Sequence, residues 1–407
     1  MIIYPSRIKG KVKISGSKNA ALPIIAASIV TSEIVKLKNV PNIMDIENFR
    51  VILNKIGCEN KRRKNHLTIK NNPYYCTLFF DEVKSMRASY YLMSVYLALF
   101  KKVEIYLPGG CNIGSRPIDF HLEGFKEAGC SFTQTSNAIK ITANKLSPFI
   151  YRLPKKSMGA TVNLMILASC INGKSIIENA STEPEIDDLI AFLNKGNALV
   201  VRSKNDIIIY GSDKKKKFLS YKIMPDRIEA FTYICMGLNS EKLVVKNINL
   251  NHLKSPFYYL EKAGANYKEA KNKVTIFRSK LSGISVTSGD YPALSTDQMP
   301  LLYPVFLRSY GSSCCTEGIF EGRFEICKEL MKMNADIKID NTKVYINPIN
   351  DLVPCDLIAK DLRGAASLLI EGIINQKSII YNVSYLERGY DNIYDKLKKI
   401  GLNFKIE

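Results

Sequence analysis

The sequence lacks the features of a membrane-spanning or secreted protein. Its longest apolar run, residues 20–30, is interrupted by Pro23 and is too short to cross a bilayer. Basic residues precede this run, but the segment before it alternates like a β-strand, and no convincing signal-peptide cleavage site follows. The ten cysteines include no Cys-x-x-Cys pair, which argues against a zinc site and favours reduced thiols. We therefore expect a cytoplasmic protein in which residues 20–30 form a buried helix.

Acidic residues are scarce relative to basic ones. The chain has 58 Lys and Arg against 38 Asp and Glu, a formal net charge of +20. Lysine runs such as 214–217 are typical of solvated loops rather than of nucleic-acid patches, yet a general positive field attracts a small substrate with several negative charges. Several arginines stand in motif-like contexts, which suits bidentate recognition of phosphate or carboxylate.

One pattern recurs six times, at intervals of about 70 residues. An amphipathic helix ends in Gly or Asn and a short strand follows, and a strand with a polar loop precedes each helix. Gly or Asn is what a left-handed helix C-cap requires. The repeated residue is Gly57, Gly129, Asn197, Gly264, Asn334 and Gly401. The sequence therefore predicts a mixed α/β unit that is repeated six times.

Six units in a chain of 407 residues divide naturally into two domains of three. The boundary is expected near Pro225, after the lysine-rich loop. The opening strand of the chain precedes the first unit, so we assign it to the C-terminal half. We thus expect one domain over 18–224 and a second over 1–17 and 225–407, with the ligand site between them.

The most unusual stretch is LPGGCNIGSRPIDFH, residues 107–121. Its glycines allow the backbone to approach a ligand closely. Cys111 stands near a cation, Arg116, and near the start of a helix, a setting that lowers the pKa of a thiol and makes it reactive. A glycine-rich turn with an inert cysteine is the alternative, and the loop alone does not decide between the two.

Three further stretches of the first half place small or basic residues where an apolar helix begins. Lys18 and Asn19 precede one such helix, Arg87 opens another, and SMGAT at 157–161 opens a third. Free N–H groups at a helix N-terminus bind anions, and a cation in the first turn is disfavoured by the helix dipole unless it meets an anion. These stretches predict phosphate binding, with an ordinary surface lysine as the alternative for Lys18.

In the second half, Asp297 follows a Ser-Thr pair that could cap a helix, so a capping role is the alternative to a catalytic one. The stretch 226–229 is as compatible with a structural role as with a functional one. Arg323, Arg363 and Arg388 each stand at a loop-to-helix junction in one of the last three repeats. Repeats arranged around an axis would bring these cations together, which predicts an anionic ligand.

Together these motifs resemble the enolpyruvyl transferase family. The resemblance runs from residue 1 to 407. The stretches that carry it are ISGSKNAALPI, SMRAS, PGGCNIGSRPIDFHLEG, SMGATVN, IIENASTEPEI, PDRIEA, STDQM, FEGRF, KDLRGAASL and ERGYD. The resemblance implies an α/β (α+β) fold of two domains, each with three βαβαββ units around an internal pseudo-threefold axis (an inside-out α/β barrel). It also implies that the protein transfers enolpyruvyl from phosphoenolpyruvate to the 3′-hydroxyl of UDP-N-acetylglucosamine, through a tetrahedral adduct and with release of phosphate. This is the first committed step of peptidoglycan synthesis, and no metal, organic cofactor, membrane or nucleic acid is implied.

The resemblance also implies roles for individual residues. Cys111 would protonate the enol methylene, Asp297 would accept the hydroxyl proton, and Asp361 would act near the same centre. The cations implied to hold phosphate and carboxylate, of which Lys18 and Arg388 also count as catalytic, are Lys18, Arg87, Arg116, Arg363 and Arg388, with Arg323 in support. The residues implied to contact the nucleotide sugar are Asn19, Arg116, Pro117, Asp119, His121, Lys156, Ser157, Gly159, Asp297 and Ile319.

Three departures from the family pattern bear on the acceptor. The family usually has Met-Gln where this chain has Gln298-Met299, Asn where it has Gly322, and Leu where it has Phe120. A divergent enolpyruvyl transferase that uses another nucleotide is therefore the first alternative. A basic RNA-binding protein is an alternative from a different class and predicts a steep salt dependence of RNA retention. A catalytically silent regulator is a third, against which the intact Cys111 and Asp297 argue.

Overall fold

The computed structural model describes residues 1–107, 118–349, 352–372 and 377–406. Within these residues the chain forms two compact units. Unit A comprises residues 16–107 and 118–224, and unit B comprises residues 1–15 together with the described residues from 225 to 406. The chain passes from unit B to unit A after Ser15, two residues before the position expected from the sequence, and returns after Met224. No described helix is long and apolar enough to cross a membrane.

The described residues form helices of two kinds, α-helices and short 3-10 helices. The α-helices are Lys18–Thr31 (α1), Met44–Lys55 (α2), Asp81–Ser85 (α3), Tyr91–Phe100 (α4), Asp119–Glu127 (α5), Met158–Ala168 (α6), Pro184–Lys195 (α7), Arg227–Gly237 (α8), Lys254–Lys262 (α9), Tyr303–Phe306 (α10), Glu325–Lys332 (α11), Leu362–Gly372 (α12) and Ile393–Lys399 (α13). The 3-10 helices are Arg87–Tyr90, Leu250–Leu253, Met299–Leu302, Glu321–Phe324 and Val383–Arg388.

Each unit contains three small sheets in its described part. In order of hydrogen-bonded neighbours, the sheets of unit A are Lys216–Lys222, Ser32–Lys38, His66–Asn71, Cys58–Arg63; Lys102–Tyr106, Ala138–Ala143, Cys130–Gln134; and Leu199–Ser203, Asp206–Gly211, Gly173–Glu178, Ile150–Arg152. In the same order, the sheets of unit B are Tyr267–Ala270, Lys273–Phe277, Lys242–Lys246, Lys9–Lys13; Ser285–Thr287, Ser313–Thr316, Lys343–Ile346, Ile337–Asp340; and Asp356–Ile358, Ser378–Tyr381, Ile2–Ile3, Phe404–Lys405.

The six sheets share one pairing pattern, which confirms the predicted sixfold α/β repeat. In each repeat, three strands form an antiparallel ladder with the last strand of the repeat in the middle. One neighbour of this middle strand is the strand between the two helices, and the other is the strand after the second helix. An additional strand pairs in parallel with the first of these in five sheets. In the remaining sheet a single parallel bridge between Leu78 and Ile105 takes its place.

The strand that precedes each of the two connections between the units supplies the additional parallel strand of a sheet. Lys9–Lys13 leads into α1 of unit A but pairs in parallel with Lys242–Lys246 of unit B. Lys216–Lys222 leads into α8 of unit B but pairs in parallel with Ser32–Lys38 of unit A. The opening strand Ile2–Ile3 completes the last sheet of unit B. In each unit, the strand that pairs in parallel in the first sheet is therefore the last strand before the chain crosses to the other unit.

The core of each unit is built on apolar helices covered by the sheets and by amphipathic helices. Every residue of α1 from Ala20 to Thr31 is buried, as expected for a segment that is apolar on all sides. It packs against α4 and α6, while α12 packs against α8 and α10 in unit B. The outer helices bury one face only, as α7 does with Ile186, Leu189 and Phe192. The prediction of a buried helix at residues 20–30 is confirmed.

Five of the six predicted left-handed caps are present. Gly57, Gly129, Gly264, Asn334 and Gly401 have φ between 70° and 95°. The prediction for Asn197 is wrong. There α7 ends at Lys195, the following Gly196 has φ −82°, and the Asn197 side chain donates to the carbonyl groups of Ser169 and Ser212. In this repeat, hydrogen bonds from the Asn197 side chain therefore take the place of a left-handed residue at the end of the helix.

Candidate functional site

In unit A, Lys18 is the first residue of α1. The side chain of Ser17 caps the helix by accepting from the backbone N–H of Ala20. The Lys18 ammonium lies 2.6 Å from a carboxylate oxygen of Asp45, which is buried in the first turn of α2. The Lys18 side chain is only 17% exposed, so its description as an ordinary surface lysine is wrong. Asn19 follows as the second residue of the helix.

Arg87 lies slightly outside the position expected from the sequence. It begins the 3-10 helix Arg87–Tyr90 that precedes α4, so it is not in the first turn of α4 itself. Its guanidinium carbon lies 5.6 Å from the centroid of the Tyr90 ring. Burial lowers the pKa of Arg87 from its usual value. The Tyr90 ring in turn lies 6.1 Å from the imidazole of His121.

His121 is buried on α5 and is held by an amide. Its Nδ1 lies 2.9 Å from the side-chain nitrogen of Asn163, a fully buried residue of α6. Burial, and secondarily the charge of Arg87, lowers the pKa of His121 to about 3. The ring is therefore neutral at ordinary pH. A Cβ atom added at Gly159 would meet the Cε1 and Nε2 atoms of the ring at 3.2 Å, so Gly159 leaves just enough room for the imidazole edge.

The remaining predicted residues of unit A lie at the starts of two helices. Ser157 caps α6, where its hydroxyl accepts from the N–H of Ala160 at 3.3 Å. Lys156 donates to the hydroxyl of Thr182 at 3.4 Å. Asp119 is the first residue of α5.

The structure thus brings Arg87, His121 and Gly159 into one cluster, together with Tyr90 and Asn163. We call these five residues the histidine cluster.

In unit B, Asp297 lies between two arginines. One of its carboxylate oxygens pairs with Arg323, and the other lies 3.2 Å from Nη2 of Arg363. Asp297 precedes the 3-10 helix Met299–Leu302, and its side chain forms ion pairs instead of capping that helix. The alternative role as a capping acid is therefore wrong. We call Asp297, Arg323 and Arg363 the aspartate cluster.

A chain of hydrogen bonds supports Arg323. Its Nε donates to the hydroxyl of Thr296 at 3.1 Å, and this hydroxyl donates to Glu317 at 3.0 Å. The other oxygen of Glu317 accepts from the N–H of Ile319 at 2.9 Å, which fixes the loop that carries the exposed Ile319 side chain. Sequence reasoning missed Glu317 for two reasons. Its partner Thr296 is 21 residues away in the chain, and its other partner is the backbone N–H of Ile319, which has no sequence signal.

Arg363 is fixed by α12 and by a tyrosine. Asp361 caps this helix by accepting from the N–H groups of Arg363 at 2.7 Å and Gly364 at 3.0 Å. The guanidinium donates to the Tyr390 hydroxyl at 3.2 Å. Burial opposes the charge of Arg363, but the attraction of Asp297 outweighs it and, with Tyr390, holds the pKa of the guanidinium above its usual value. Tyr390 was not predicted, although it stands in the ERGYD motif.

Two residues of the stretch 226–229 have structural roles in unit B. Asp226 caps α8 by accepting from the N–H groups of Ile228 and Glu229. The buried Glu229 accepts from the N–H of Ser15 at 2.9 Å and forms an ion pair with Lys396. Burial raises the pKa of Glu229 to about 7, against the opposing effect of Lys396. Glu229 thus holds the last residue of unit B before the chain crosses to unit A.

Four predicted site residues have little or no structural description. Arg388 ends the 3-10 helix Val383–Arg388 and is half-buried. Cys111, Arg116 and Pro117 lie outside the described residues.

Of the three departures from the family pattern, two can be placed. Gln298 is buried, and its side-chain oxygen accepts from the Ser295 hydroxyl at 3.1 Å, so it supports the turn that carries Asp297. Phe120 is half-buried and packs against the core of unit A.

The chain resembles known proteins over nearly its whole length. Residues 3–397 match the family described as EPSP synthase (3-phosphoshikimate 1-carboxyvinyltransferase). A UDP-N-acetylglucosamine 1-carboxyvinyltransferase of Halothermothrix orenii is 37% identical over 402 residues, which cover 98% of this chain and 97% of the relative. A protein of the same name from Thermotoga maritima is 37% identical and covers 97% of this chain, with 95% of the relative matched. Among solved structures, the enolpyruvyl transferase NikO from Streptomyces tendae superposes with a TM-score of 0.91 at 21% identity, over 99% of this chain and 97% of NikO.

Proposed function

Since the chain belongs to the EPSP synthase family of enolpyruvyl transferases, we propose that it transfers enolpyruvyl from phosphoenolpyruvate to the 3′-hydroxyl of UDP-N-acetylglucosamine and releases phosphate. The observation that carries this proposal is the 37% identity, over nearly the full length, to relatives that bear the name of this activity. The reaction is the first committed step of peptidoglycan synthesis. Its partners are two anionic small molecules, and it takes place in the cytoplasm without a metal or organic cofactor.

The aspartate cluster supports the acid–base part of the reaction. Asp297 presents a carboxylate to the 3′-hydroxyl and takes its proton as the oxygen attacks the enol carbon. Arg323 and Arg363 orient this carboxylate, because each pairs with a different oxygen. Arg363 and Arg388 hold the charged groups of phosphoenolpyruvate, and Asp361 keeps Arg363 in place through the start of α12.

The histidine cluster supports binding of the nucleotide. His121, Ser157 and Gly159 lie where α5 and α6 begin, and free N–H groups at a helix N-terminus suit a diphosphate. Asp119, Lys156, Arg116, Pro117 and Ile319 complete the contacts to the nucleotide sugar. Lys18, Asn19 and Arg87 serve phosphoenolpyruvate and the sugar from the start of α1 and from the start of the 3-10 helix Arg87–Tyr90. Cys111 donates the proton that the enol methylene gains on addition. The methyl group of the resulting adduct loses a proton again as phosphate leaves, which restores the double bond of the enolpyruvyl ether.

A transferase that uses another nucleotide is the second candidate, favoured by the changed residues beside Asp297 and on α5. The buried position of Gln298 and the partial burial of Phe120 mean that both changes alter packing around the site. The proposal for UDP-N-acetylglucosamine and this candidate predict different acceptors for the same chemistry.

One assay tests the proposed function. Phosphate release from phosphoenolpyruvate is measured with UDP-N-acetylglucosamine, UDP-glucose, UDP-N-acetylgalactosamine and uridine nucleotides without a sugar. We expect release only with UDP-N-acetylglucosamine, together with a product that carries the enolpyruvyl ether. Release with a different acceptor would establish the second candidate, and no release with any acceptor would contradict enolpyruvyl transfer.

A further inference from the structure

A buried amide determines how the His121 ring presents its two nitrogens. The side chain of Asn163 is fully buried and faces three groups. Its oxygen lies 3.4 Å from the backbone nitrogen of Ser94 on α4. Its nitrogen lies 2.9 Å from Nδ1 of His121 and 3.4 Å from the carbonyl oxygen of Gly159.

These partners fix the orientation of the amide. The N–H of Ser94 can only donate, so the atom that faces it must be the amide oxygen. The carbonyl of Gly159 can only accept, so the amide nitrogen must face it. The same nitrogen therefore donates to Nδ1 of His121, which has to be the unprotonated nitrogen. In a neutral imidazole the hydrogen is then on Nε2.

We infer that Asn163 is a positioning residue that locks His121 as the Nε2–H tautomer, so that the ring donates a hydrogen bond from Nε2 to an oxygen of the bound uridine diphosphate group. The identity of the ligand rests on the proposed function. The tautomer does not, because it is a property of the free protein.

The surroundings of the ring favour this neutral donor. Arg87 and Tyr90 approach from the 3-10 helix before α4, and a second positive charge beside Arg87 would be repelled. Among the described residues, Nε2 has no hydrogen-bond partner, so its N–H is available to a ligand. Gly159 faces this edge without a side chain. The locked tautomer thus offers one donor to an anion without adding charge.

Nitrogen NMR tests the tautomer in the free protein. The chain has three histidines, so a long-range ¹H–¹⁵N spectrum of uniformly labelled protein can be assigned with His66→Gln and His252→Gln variants. We expect His121 to show a protonated Nε2 and an unprotonated Nδ1 between about pH 6 and 9. A protonated Nδ1, or signals averaged between the two tautomers, would overturn the inference.

The Asn163→Asp variant tests the consequence for binding. A carboxylate cannot donate, so Nδ1 must carry a hydrogen, and Nε2 becomes an acceptor once the ring is neutral. UDP is the probe, and its affinity is measured by calorimetry. We expect the affinity of the variant for UDP to fall as the pH rises from about 7, and to be about tenfold below that of the wild type at pH about 8.5. In turnover, the KM for the nucleotide sugar should change more than kcat. Equal pH profiles of UDP affinity in the variant and the wild type would contradict the assigned role.

Asn194→Asp is the matched control, because Asn194 is an α-helical asparagine of unit A whose side chain bonds Val200. It should leave the His121 signals and UDP affinity unchanged. Failure of the proposed function would look different. A wild type with the expected tautomer that binds UDP but does not transfer enolpyruvyl would contradict the reaction and leave the tautomer assignment standing.

Discussion

The aspartate cluster of unit B and the histidine cluster of unit A hold their ionisable groups in different ways. Unit B surrounds carboxylates with cations, as in Asp297 with Arg323 and Arg363 and in Glu229 with Lys396. In unit A, burial and secondarily the charge of Arg87 keep His121 neutral, and the side-chain nitrogen of Asn163 lies 2.9 Å from its Nδ1. Cations keep a carboxylate ionised, the form that can accept a proton from a substrate hydroxyl. A neutral ring with one fixed donor can instead bind an anion without titrating. The difference fits the proposed function, in which the aspartate cluster serves acid–base chemistry and the histidine cluster serves binding of the nucleotide.

The largest expected effect is on turnover through Asp297. The Asp297→Asn variant keeps the size of the side chain but removes the carboxylate that we propose as the acceptor of the hydroxyl proton. We expect kcat to fall by about 10²–10⁴-fold, the usual contribution of a positioned acid–base group. UDP affinity should not change, because the change is confined to the aspartate cluster.

The control is Asp340→Asn, an exposed aspartate of unit B, which should keep normal turnover. Near-normal turnover of Asp297→Asn with a loss of stability would show that Asp297 is structural and would remove the chemical side of the comparison.

The next effect concerns the stability of unit B through Glu229. Its pKa is about 7 in the folded protein, above the ordinary 4.5, so the folded state binds the proton more tightly. This contribution to the free energy of unfolding is therefore complete below about pH 4.5 and is lost as the pH rises towards 7. Relative to Glu229→Gln, the wild type should lose about 2–3 kcal/mol between about pH 5 and 8. Urea denaturation of both proteins across this range measures the difference, and parallel pH profiles would contradict it.

His121 in unit A should give the free energy of unfolding the opposite pH dependence to that of Glu229, with a somewhat smaller change. Its pKa of about 3 lies below the ordinary 6.5, so the folded state resists protonation. Its contribution is present above about pH 6.5 and is lost as the pH falls towards 3. Relative to His121→Gln, the wild type should lose about 2 kcal/mol between about pH 7.5 and 5. Denaturation curves in which the wild type gains stability over His121→Gln on acidification would show that the ring is not buried as a neutral base.

Much of the fold was accessible from the sequence because its signals are local. The repeated Gly or Asn marks helix ends through backbone conformation, and the apolar run at 20–30 marks a buried helix. The exception, Asn197, is explained by long-range bonds from its side chain to Ser169 and Ser212, which no local pattern indicates.

The candidate site was only partly accessible for the same reason. The motifs placed Arg87, Asp297 and Arg363 near starts of helical segments, but their partners come from distant parts of the chain. Asp297 and Arg363 are 66 residues apart, and His121 and Asn163 are 42 residues apart. Such pairs form only when the repeats pack together, so a local interpretation assigned Asp297 a possible capping role and gave no role to Asn163.

The division between chemistry and recognition is tested most directly by the affinity of UDP for two variants, measured side by side by calorimetry. We predict that Asp297→Asn binds UDP as the wild type does, and that His121→Gln binds it about tenfold more weakly. Weakened binding by Asp297→Asn together with unchanged binding by His121→Gln would contradict the account.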